Sequence, residues 1–308
     1  KLQKASLIKV KQKIILEAIK AYLDVYSNQS VVRLRKRSLK RFEENVEATK
    51  LKLEAGTVTP TVLAEAQSKY AKAKYELILA EGNLNNYTSK LKSITKLKNV
   101  PSDLKLPKLN FKIPKTVNKA VEVSLENNPI ILVAKLEKDI AKKNVDLKKS
   151  NNRPSLKMEF FGKDSQSSIN TSASDYQSYG ANLTFSTPLF YNESTKDNIR
   201  RLDKLFIATS FDLLEKNRQV ELNAISSYQN YKSTLAKTSA SRSEKISSLL
   251  ALNGIKKEAQ FGIRTVLDVL DAEVEYLNAS TNVIKSKADE IYSQFHIKSI
   301  LGNLSIRD

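Results

Sequence analysis

The sequence predicts a mainly α protein built from long antiparallel coiled-coil helical hairpins, interrupted once by a pair of β-strands. Three observations carry that prediction. Gly and Pro number only 7 each in 308 residues, so turns are few and the elements between them are long. Apolar and small residues recur at alternating spacings of three and four, the pattern of a coiled-coil seam. Two short segments alternate apolar and polar residues with period two, the pattern of a strand with one apolar face.

Residues 1–54 read as the first helix, ended by "AGTVTP" (55–60). Thr59 before Pro60 predicts an N-cap followed by proline at the first helical position. The next helix, 60–98, carries the seam Ala66, Tyr70, Ala73, Leu77, Ala80, Leu84, Tyr87, Leu91 and Ile94. Pro101, Pro107 and Pro114 make 99–115 an extended connector. A shorter helix follows at about 116–126, and "NNP" (127–129) restarts a helix that runs to about Asn151.

The period then changes. "PSLKMEFFG" (154–162) sets Leu156, Met158 and Phe160 against Lys157 and Glu159. "YGANLTFSTPLF" (179–190) sets Ala181, Leu183 and Phe185 against Asn182, Thr184 and Ser186. Between them, 163–178 is a polar tract without a helical or strand period, read as a loop. Two isolated strands are not stable alone, so this pair is expected to complete a sheet supplied by other copies or by a preceding part of the protein. Helix returns at about 192 and runs to about 259, on the order of 100 Å at 1.5 Å per residue. A last helix is expected from 265 to about 302.

The two breaks at Gly56 and Gly262 are related by an offset of 206, and the same offset pairs many other positions. It pairs Ala18 with Ala224, Tyr22 with Tyr228, Thr59 with Thr265, Ala66 with Ala272 and Tyr70 with Tyr276. It ends by pairing Lys92-Ser93-Ile94 with Lys298-Ser299-Ile300. The chain therefore contains a duplicated helical hairpin that turns at a glycine. Four regions follow: 1–98, the first hairpin; 99–153, connector and shorter helices; 154–190, the strand pair; 191–308, the second hairpin.

The last helix has one seam at Leu267, Leu270, Val274, Leu277, Thr281, Ile284, Ala288, Ile291 and Phe295. A smaller one lies roughly opposite at Ala272, Tyr276, Ala279 and Val283. Two polar arcs separate them. One holds Asp268, Asp271, Glu275, Asn278, Asn282 and Asp289, and the other Glu273, Ser280 and Lys287. Two seams and two wet faces predict a stave in the wall of a hollow cylinder, with water inside and out.

Composition excludes several chemistries. With no Cys there is no disulfide, thiolate metal site or cysteine nucleophile. The single His296 has no partner for a triad or a multi-histidine metal site, and is expected to be packed or at the surface. No catalytic, metal or cofactor-binding set is predicted. No run approaches the ~20 apolar residues of a membrane helix. No signal peptide is visible, and residue 1 already lies in a helical pattern, so the chain is expected to be a fragment or a processed product. The net charge of +19 suits an acidic partner of some kind without choosing one. "VVRLRKRSLKRF" (31–42) has six basic residues but no recognition motif or aromatic platform. A solvated or lipid-headgroup-facing helix surface is favoured there over nucleic-acid binding.

"FGIRTVLDVLDAEVEYLNA" (261–279) and "IYSQFHIKSILGNL" (291–304) resemble the outer-membrane efflux protein family, the TolC-like channels. So do "NNPIILVAKLEKDIAKKNVDLKKSNNRPSLKMEF" and "LTFSTPLFYN", where that family enters and leaves its second strand pair. The resemblance covers nearly the whole chain, but the family's first helix pair and first strand pair have no counterpart in it. It implies a homotrimer in the outer membrane of a Gram-negative bacterium. Each protomer would give four strands to one β-barrel, and its helices would be staves of an α-barrel extending into the periplasm.

The resemblance also implies site residues. Asp268 and Asp271 match acidic residues that ring the family's periplasmic entrance, and Arg264 matches an arginine that helps hold it shut, with its partner region at Thr61 and Val62. The family often has an acid where Val62 stands. A plainer reading stands beside this one: Thr265 as N-cap with Asp268 three residues on is an approximate capping box. The hairpin tips, with Gly56, Thr57 and Thr59 on one and Phe261, Gly262 and Thr265 on the other, would receive a periplasmic adaptor. Leu156, Met158, Phe160, Leu183 and Phe185 would face lipid, with Lys157, Glu159, Asn182 and Thr184 facing the lumen. Tyr176 and Tyr179 are candidate rim aromatics. The function expected is a passive exit duct for efflux or type I secretion, working with an inner-membrane transporter and an adaptor. The competing reading is a non-channel coiled-coil scaffold, binding nucleic acid through its basic helices.

Overall fold

The computed structural model describes residues 1–107, 111–151, 153–165, 176–189 and 193–305. In chain order the elements are α1 (Leu2–Glu54), α2 (Pro60–Thr95), α3 (Val117–Asn127), α4 (Pro129–Ser150), β1 (Ser155–Ser165), β2 (Tyr176–Ser186), α5 (Glu193–Gln260) and α6 (Val266–Ile300). They fall into two compact units, residues 3–131 with 217–308 and residues 1–2 with 132–216. Among the described residues no helix is long and apolar enough to cross a membrane.

In the larger unit, α1 with α2, and the later part of α5 with α6, form the two hairpins. Each helix buries a stripe, and small clusters join the stripes along their length. Phe42, Ala66 and Leu270 pack α1, α2 and α6 together near the tips. Val31, Val32 and Ala80 continue the seam, with Ile284 of α6 against them. Leu23, Ala288, Ile291, Phe295 and Leu304 form the next cluster along. The spacing of three and four is thus met by a matching stripe on the neighbouring helix.

The connector is strapped to this unit rather than loose. Gln29, buried on α1, donates from Nε2 to the Pro101 carbonyl at 2.8 Å and accepts from the Leu104 amide at 3.2 Å. Tyr22 donates to the Lys105 carbonyl at 2.7 Å, and Tyr228 to that of Lys115 at 2.6 Å. These bonds satisfy backbone groups that prolines leave without a regular ladder. Four of the six basic residues of the α1 tract are paired within the same unit, Lys40 with Glu44 at 4.0 Å among them. Arg33 pairs with Asp103 at 3.1 Å, Lys36 with Glu81 at 2.9 Å, and Arg35 with Glu76. His296 is packed, its Nδ1 3.2 Å from the Ser227 hydroxyl, and burial pushes its pKa down.

One expectation fails. The arc Glu273, Ser280, Lys287 of α6 is not a wet face. Glu273 and Ser280 are 2% and 4% exposed, and Lys287 is half-buried. This arc is where α5 packs. Thr234 meets Ser293 at 2.9 Å, and the Thr238 hydroxyl donates to the Ser286 carbonyl at 3.1 Å. Thr238, Ser241, Ser248, Ser280, Ser286 and Ser293 are all buried. Their hydroxyls are small enough for close helix approach, and a hydroxyl can return its hydrogen bond to its own helix. Glu273 enters the same seam paired with Lys256 of α5 at 2.6 Å. A seam of polar but small residues looks like a solvent face when polarity alone is read. Only the other arc, Asp271, Glu275, Asn278 and Asn282, is exposed in the protomer.

In the smaller unit, β1 and β2 form one antiparallel pair in continuous register from Ser155↔Ser186 to Ser165↔Tyr176. Both strands extend into the tract read as a loop at 163–178, since Lys163, Asp164 and Ser165 pair with Ser178, Gln177 and Tyr176. Polar residues there satisfy the backbone ladder as well as apolar ones, so side-chain alternation understates strand length. The rest of that tract, 166–175, lies outside the described residues.

Overpacking should identify the α5–α6 seam. Ser286 is 0% exposed, so the two further heavy atoms of a leucine side chain must displace its neighbours. Ser286→Leu should cost about 1–3 kcal/mol, while Asn278→Ala on the exposed arc should stay within about 0.5 kcal/mol. Denaturant unfolding followed by helical circular dichroism measures both.

Candidate functional site

The two hairpin tips are built alike. α1 ends at Glu54, and Gly56 at φ 71° reverses the chain. The Gly56 amide bonds to Leu53 O at 2.9 Å and the Thr57 amide to Lys52 O at 2.9 Å. At the second tip Gly262 has φ 74°, its amide bonds to Ala259 O at 3.2 Å, and that of Ile263 to Glu258 O at 2.9 Å. Both are Schellman endings with glycine in the left-handed position, where a β-carbon would be strained. The Thr57 hydroxyl adds a second bond to Lys52 O at 2.9 Å.

The tips differ at the next helix start. Thr265 accepts from the Asp268 amide at 3.1 Å, and Asp268 Oδ2 accepts from the Thr265 amide at 2.8 Å, a complete capping box. The Thr265 hydroxyl also donates to Asp268 at 2.8 Å. Thr59 occupies the same position before α2 with extended backbone, but its side chain makes no capping bond. The repeat explains the difference: Val62 stands where the second hairpin has Asp268, so the reciprocal acid is missing and Pro60 alone starts the helix.

The charged residues have partners within the protomer. Asp268 is held below the usual carboxylate range by the Thr265 amide, then by the Thr265 hydroxyl, with Arg264 adding to both. Arg264 Nε donates to Glu258 Oε2 at 2.9 Å, which raises its pKa, so its partner here is on the closing turn of its own hairpin. Thr61 is exposed at the start of α2. Asp271 is exposed and forms an ion pair with Lys69 of α2, which ties one hairpin to the other. Glu258 and Lys69 were not singled out in the sequence. Lys69 lies ten residues past Thr59 and Asp271 six past Thr265, so no local spacing relates them. Phe261 and Ile263 are 82% and 72% exposed at the second tip. Among the described residues no three His, Cys, Asp or Glu side chains gather as metal ligands.

In the strand pair, register sets Leu156 opposite Phe185, Met158 opposite Leu183 and Phe160 opposite Ala181 on one face. Lys157 opposite Thr184, Glu159 opposite Asn182 and Phe161 opposite Gly180 make the other. Every large apolar side chain of the first face is at least 60% exposed. Lys157 and Glu159 pair at 3.0 Å on the second. Tyr179, opposite Gly162, is 79% exposed. The side chain of Tyr176 lies outside the described residues.

Residues 120–303 match the family described as outer membrane efflux protein. The chain is 26% identical over 307 residues to outer membrane protein TolC of Vibrio cholerae serotype O1, covering 96% of this chain and 69% of that protein. It is 24% identical over 311 residues to TolC of Escherichia coli K12, covering 96% and 63%. It is 22% identical over 305 residues to the alkaline protease secretion protein AprF of Pseudomonas aeruginosa, covering 96% and 63%. The chain therefore spans about two thirds of the length of these relatives. Its fold is similar to that of the outer-membrane channel OprN, with a TM-score of 0.80 at 17% identity, covering 98% of this chain and 69% of that one. It is similar also to CusC, with a TM-score of 0.82 at 14% identity, covering 98% and 71%.

The two N-caps give a differential test. Thr265→Ala should cost about 1 kcal/mol at the start of α6, and Thr59→Ala much less, because only Thr265 caps with its side chain. Amide exchange over the first turns of α6 and α2 reads each separately. The carboxylate half of the box has a definite pH dependence. A depressed folded pKa stabilises fully above the unfolded value, about 3.9, and the contribution is lost as pH falls through the lower folded value. Protection of the α6 N-terminus should be flat above about pH 4 and fall below it, and Asp268→Asn should flatten that decline.

Proposed function

Because the chain belongs to the outer membrane efflux protein family, we propose that the whole protein is a passive outer-membrane exit duct for efflux or type I secretion. The observation that carries this reading is the strand pair. Eleven residues per strand suit a tilted crossing of the hydrocarbon layer. One face is apolar and exposed from the Leu156–Phe185 pair to the Phe160–Ala181 pair, and unpaired strand edges are tolerated in a membrane only in a closed barrel. A protomer offering two such strands is completed by other strands of the same assembly, in this reading a homotrimer with outer-membrane lipid around it. Leu156, Met158, Phe160, Leu183 and Phe185 face that lipid.

The helices then line a periplasmic conduit that carries solute without chemistry of its own. An inner-membrane transporter supplies the energy, and a periplasmic adaptor docks on the tips at Gly56, Thr57 and Thr59 and at Phe261, Gly262 and Thr265. The exposed Phe261 and Ile263 supply the apolar contact that such docking requires. Asp268, Asp271 and Arg264 sit where the narrow mouth of the duct would be, with Thr61 on the facing hairpin. Asp268 serves as cap and as lining through different atoms. The pairing of Asp271 with Lys69 moderates the negative ring and makes opening of the mouth a matter of parting two hairpins. The scaffold reading leaves the apolar strand face without a role, and no nucleic-acid partner is proposed.

Two measurements on the full-length protein test this. Leu183→Arg near the midplane should cost about 2–4 kcal/mol in folding into lipid vesicles and Thr184→Arg far less. Equal tolerance would remove the membrane assignment. In planar bilayers, Asp268→Ala with Asp271→Ala should lower cation selectivity and weaken block by multivalent cations. Unchanged single-channel currents would leave those residues as a cap and an ion pair only.

A further inference from the structure

The basic excess of the smaller unit is concentrated at one end of the strand pair. β1 begins and β2 finishes at that end, where Ser155 faces Ser186 and the chain passes to α4 and α5. From 142 to 153 there are five basic residues, Lys142, Lys143, Lys148, Lys149 and Arg153, against the single acid Asp146. Lys149 is shared with Asp203 at 3.6 Å. Lys142, Lys143, Lys148 and Arg153 form no ion pair among the described residues. On α5, Arg201 and Lys204 are likewise exposed and unpaired among them.

Part of this charge lines a groove. Lys143, Asp146, Leu147, Lys149, Ser150 and Arg153 surround an open hollow of about 430 Å³ on the last turns of α4. The Arg153 amide bonds to Ser150 O at 2.9 Å, which fixes that arginine at the turn leading into β1. Leu147, on the groove floor, is 63% exposed. Helix-dipole compensation accounts for cations at a helix C-terminus. It does not account for an exposed leucine among them, nor for their nearness to the apolar strand face. Arg153 precedes Leu156 by three residues, at most about 10 Å of extended chain, and Lys149 lies about one helical turn, roughly 6 Å, further on.

We infer that this groove is a binding site for the phosphate headgroup of an anionic phospholipid in the periplasmic leaflet of the outer membrane. The inference rests on the proposed membrane position of the strand pair. With Leu156 and Phe185 in hydrocarbon, Arg153 lies at headgroup depth, and Lys143 and Lys149 line the same hollow. The guanidinium of Arg153 forks onto phosphate oxygens, the two ammonium groups supply further positive charge, and Leu147 meets the glycerol and upper acyl carbons. Asp146 offsets part of the attraction, and selectivity for an anionic headgroup comes from the surplus of cations.

The test uses the full-length protein in a nonionic detergent, titrated with phosphatidylglycerol or with phosphatidylcholine of the same chains, with bound lipid counted by native mass spectrometry. Phosphatidylglycerol should bind at least tenfold tighter, and the preference should shrink at high salt. Lys143→Gln, Lys149→Gln and Arg153→Gln together should weaken phosphatidylglycerol on the order of 10- to 100-fold and leave phosphatidylcholine unchanged. If the triple variant loses its heat-modifiable mobility, Lys143→Glu alone, at an exposed position, should still weaken phosphatidylglycerol severalfold. Equal binding of the two lipids, or unchanged binding in the variants, overturns the inference and leaves dipole compensation. Tighter binding of inorganic phosphate than of phosphatidylglycerol assigns the site to a free anion and also overturns it. Single-channel current of the same preparation separates the two readings: conductance without lipid preference sinks this site alone, whereas absence of membrane insertion removes the duct and this site together.

Discussion

Helices of 53 and 68 residues bury a stripe and not a globular core, so everything in the larger unit depends on keeping neighbouring stripes in contact along their whole length. The contact is made by side chains small enough to let backbones approach. Ala21, Ala66, Ala80, Ala224, Ala272, Ala279 and Ala288 are buried beside Ser and Thr, with larger residues such as Phe42, Leu270 and Phe295 at intervals. Dispersion between close backbones then replaces the bulk burial of a compact domain. A single enlarged residue in such a seam is felt over more than one turn, because a long helix cannot move locally without leaving its neighbour.

The turns follow from that constraint. A hairpin whose helices must stay in register over dozens of residues needs a reversal with one geometry. The Schellman endings at Gly56 and Gly262 supply it twice. The two copies differ at the following cap. Val62 stands where the second has Asp268, so the first tip has no capping box and lacks that carboxylate. The first hairpin enters the tip region with less negative charge than the second, and the Lys69–Asp271 pair joins the two across that asymmetry.

The strand pair obeys a different solvent. Its apolar face is exposed among the described residues, and its polar face carries Lys157 paired to Glu159. In water that arrangement costs free energy; against hydrocarbon on one side and water on the other it does not. The cations at one end of the pair fit the same boundary. The net charge of +19, unassignable as a bulk property, is partly explained by position. Some of it is neutralised on α1 by Asp103, Glu76 and Glu81, and some stands unpaired beside the strand ends.

By itself the sequence determined the long helices, the glycine reversals, the duplication at an offset of 206 and the two faces of the strands. These rest on periodicity and on backbone sterics, which are local. It also placed Thr265 with Asp268, because a capping box spans four consecutive residues. It did not reveal that Glu273 and Ser280 lie in a buried seam, since a small polar residue reads as a wet one until its neighbour is known. It did not reveal that Arg264 meets Glu258 across the turn, or that Asp271 meets Lys69 on the facing hairpin. It understated the strands by the polar residues at 163–165 and 176–178, whose pairing lies in the backbone ladder. In each case the deciding partner is distant in the chain or belongs to the main chain, and the free energy of contact with it is settled only when the helices and strands are brought together.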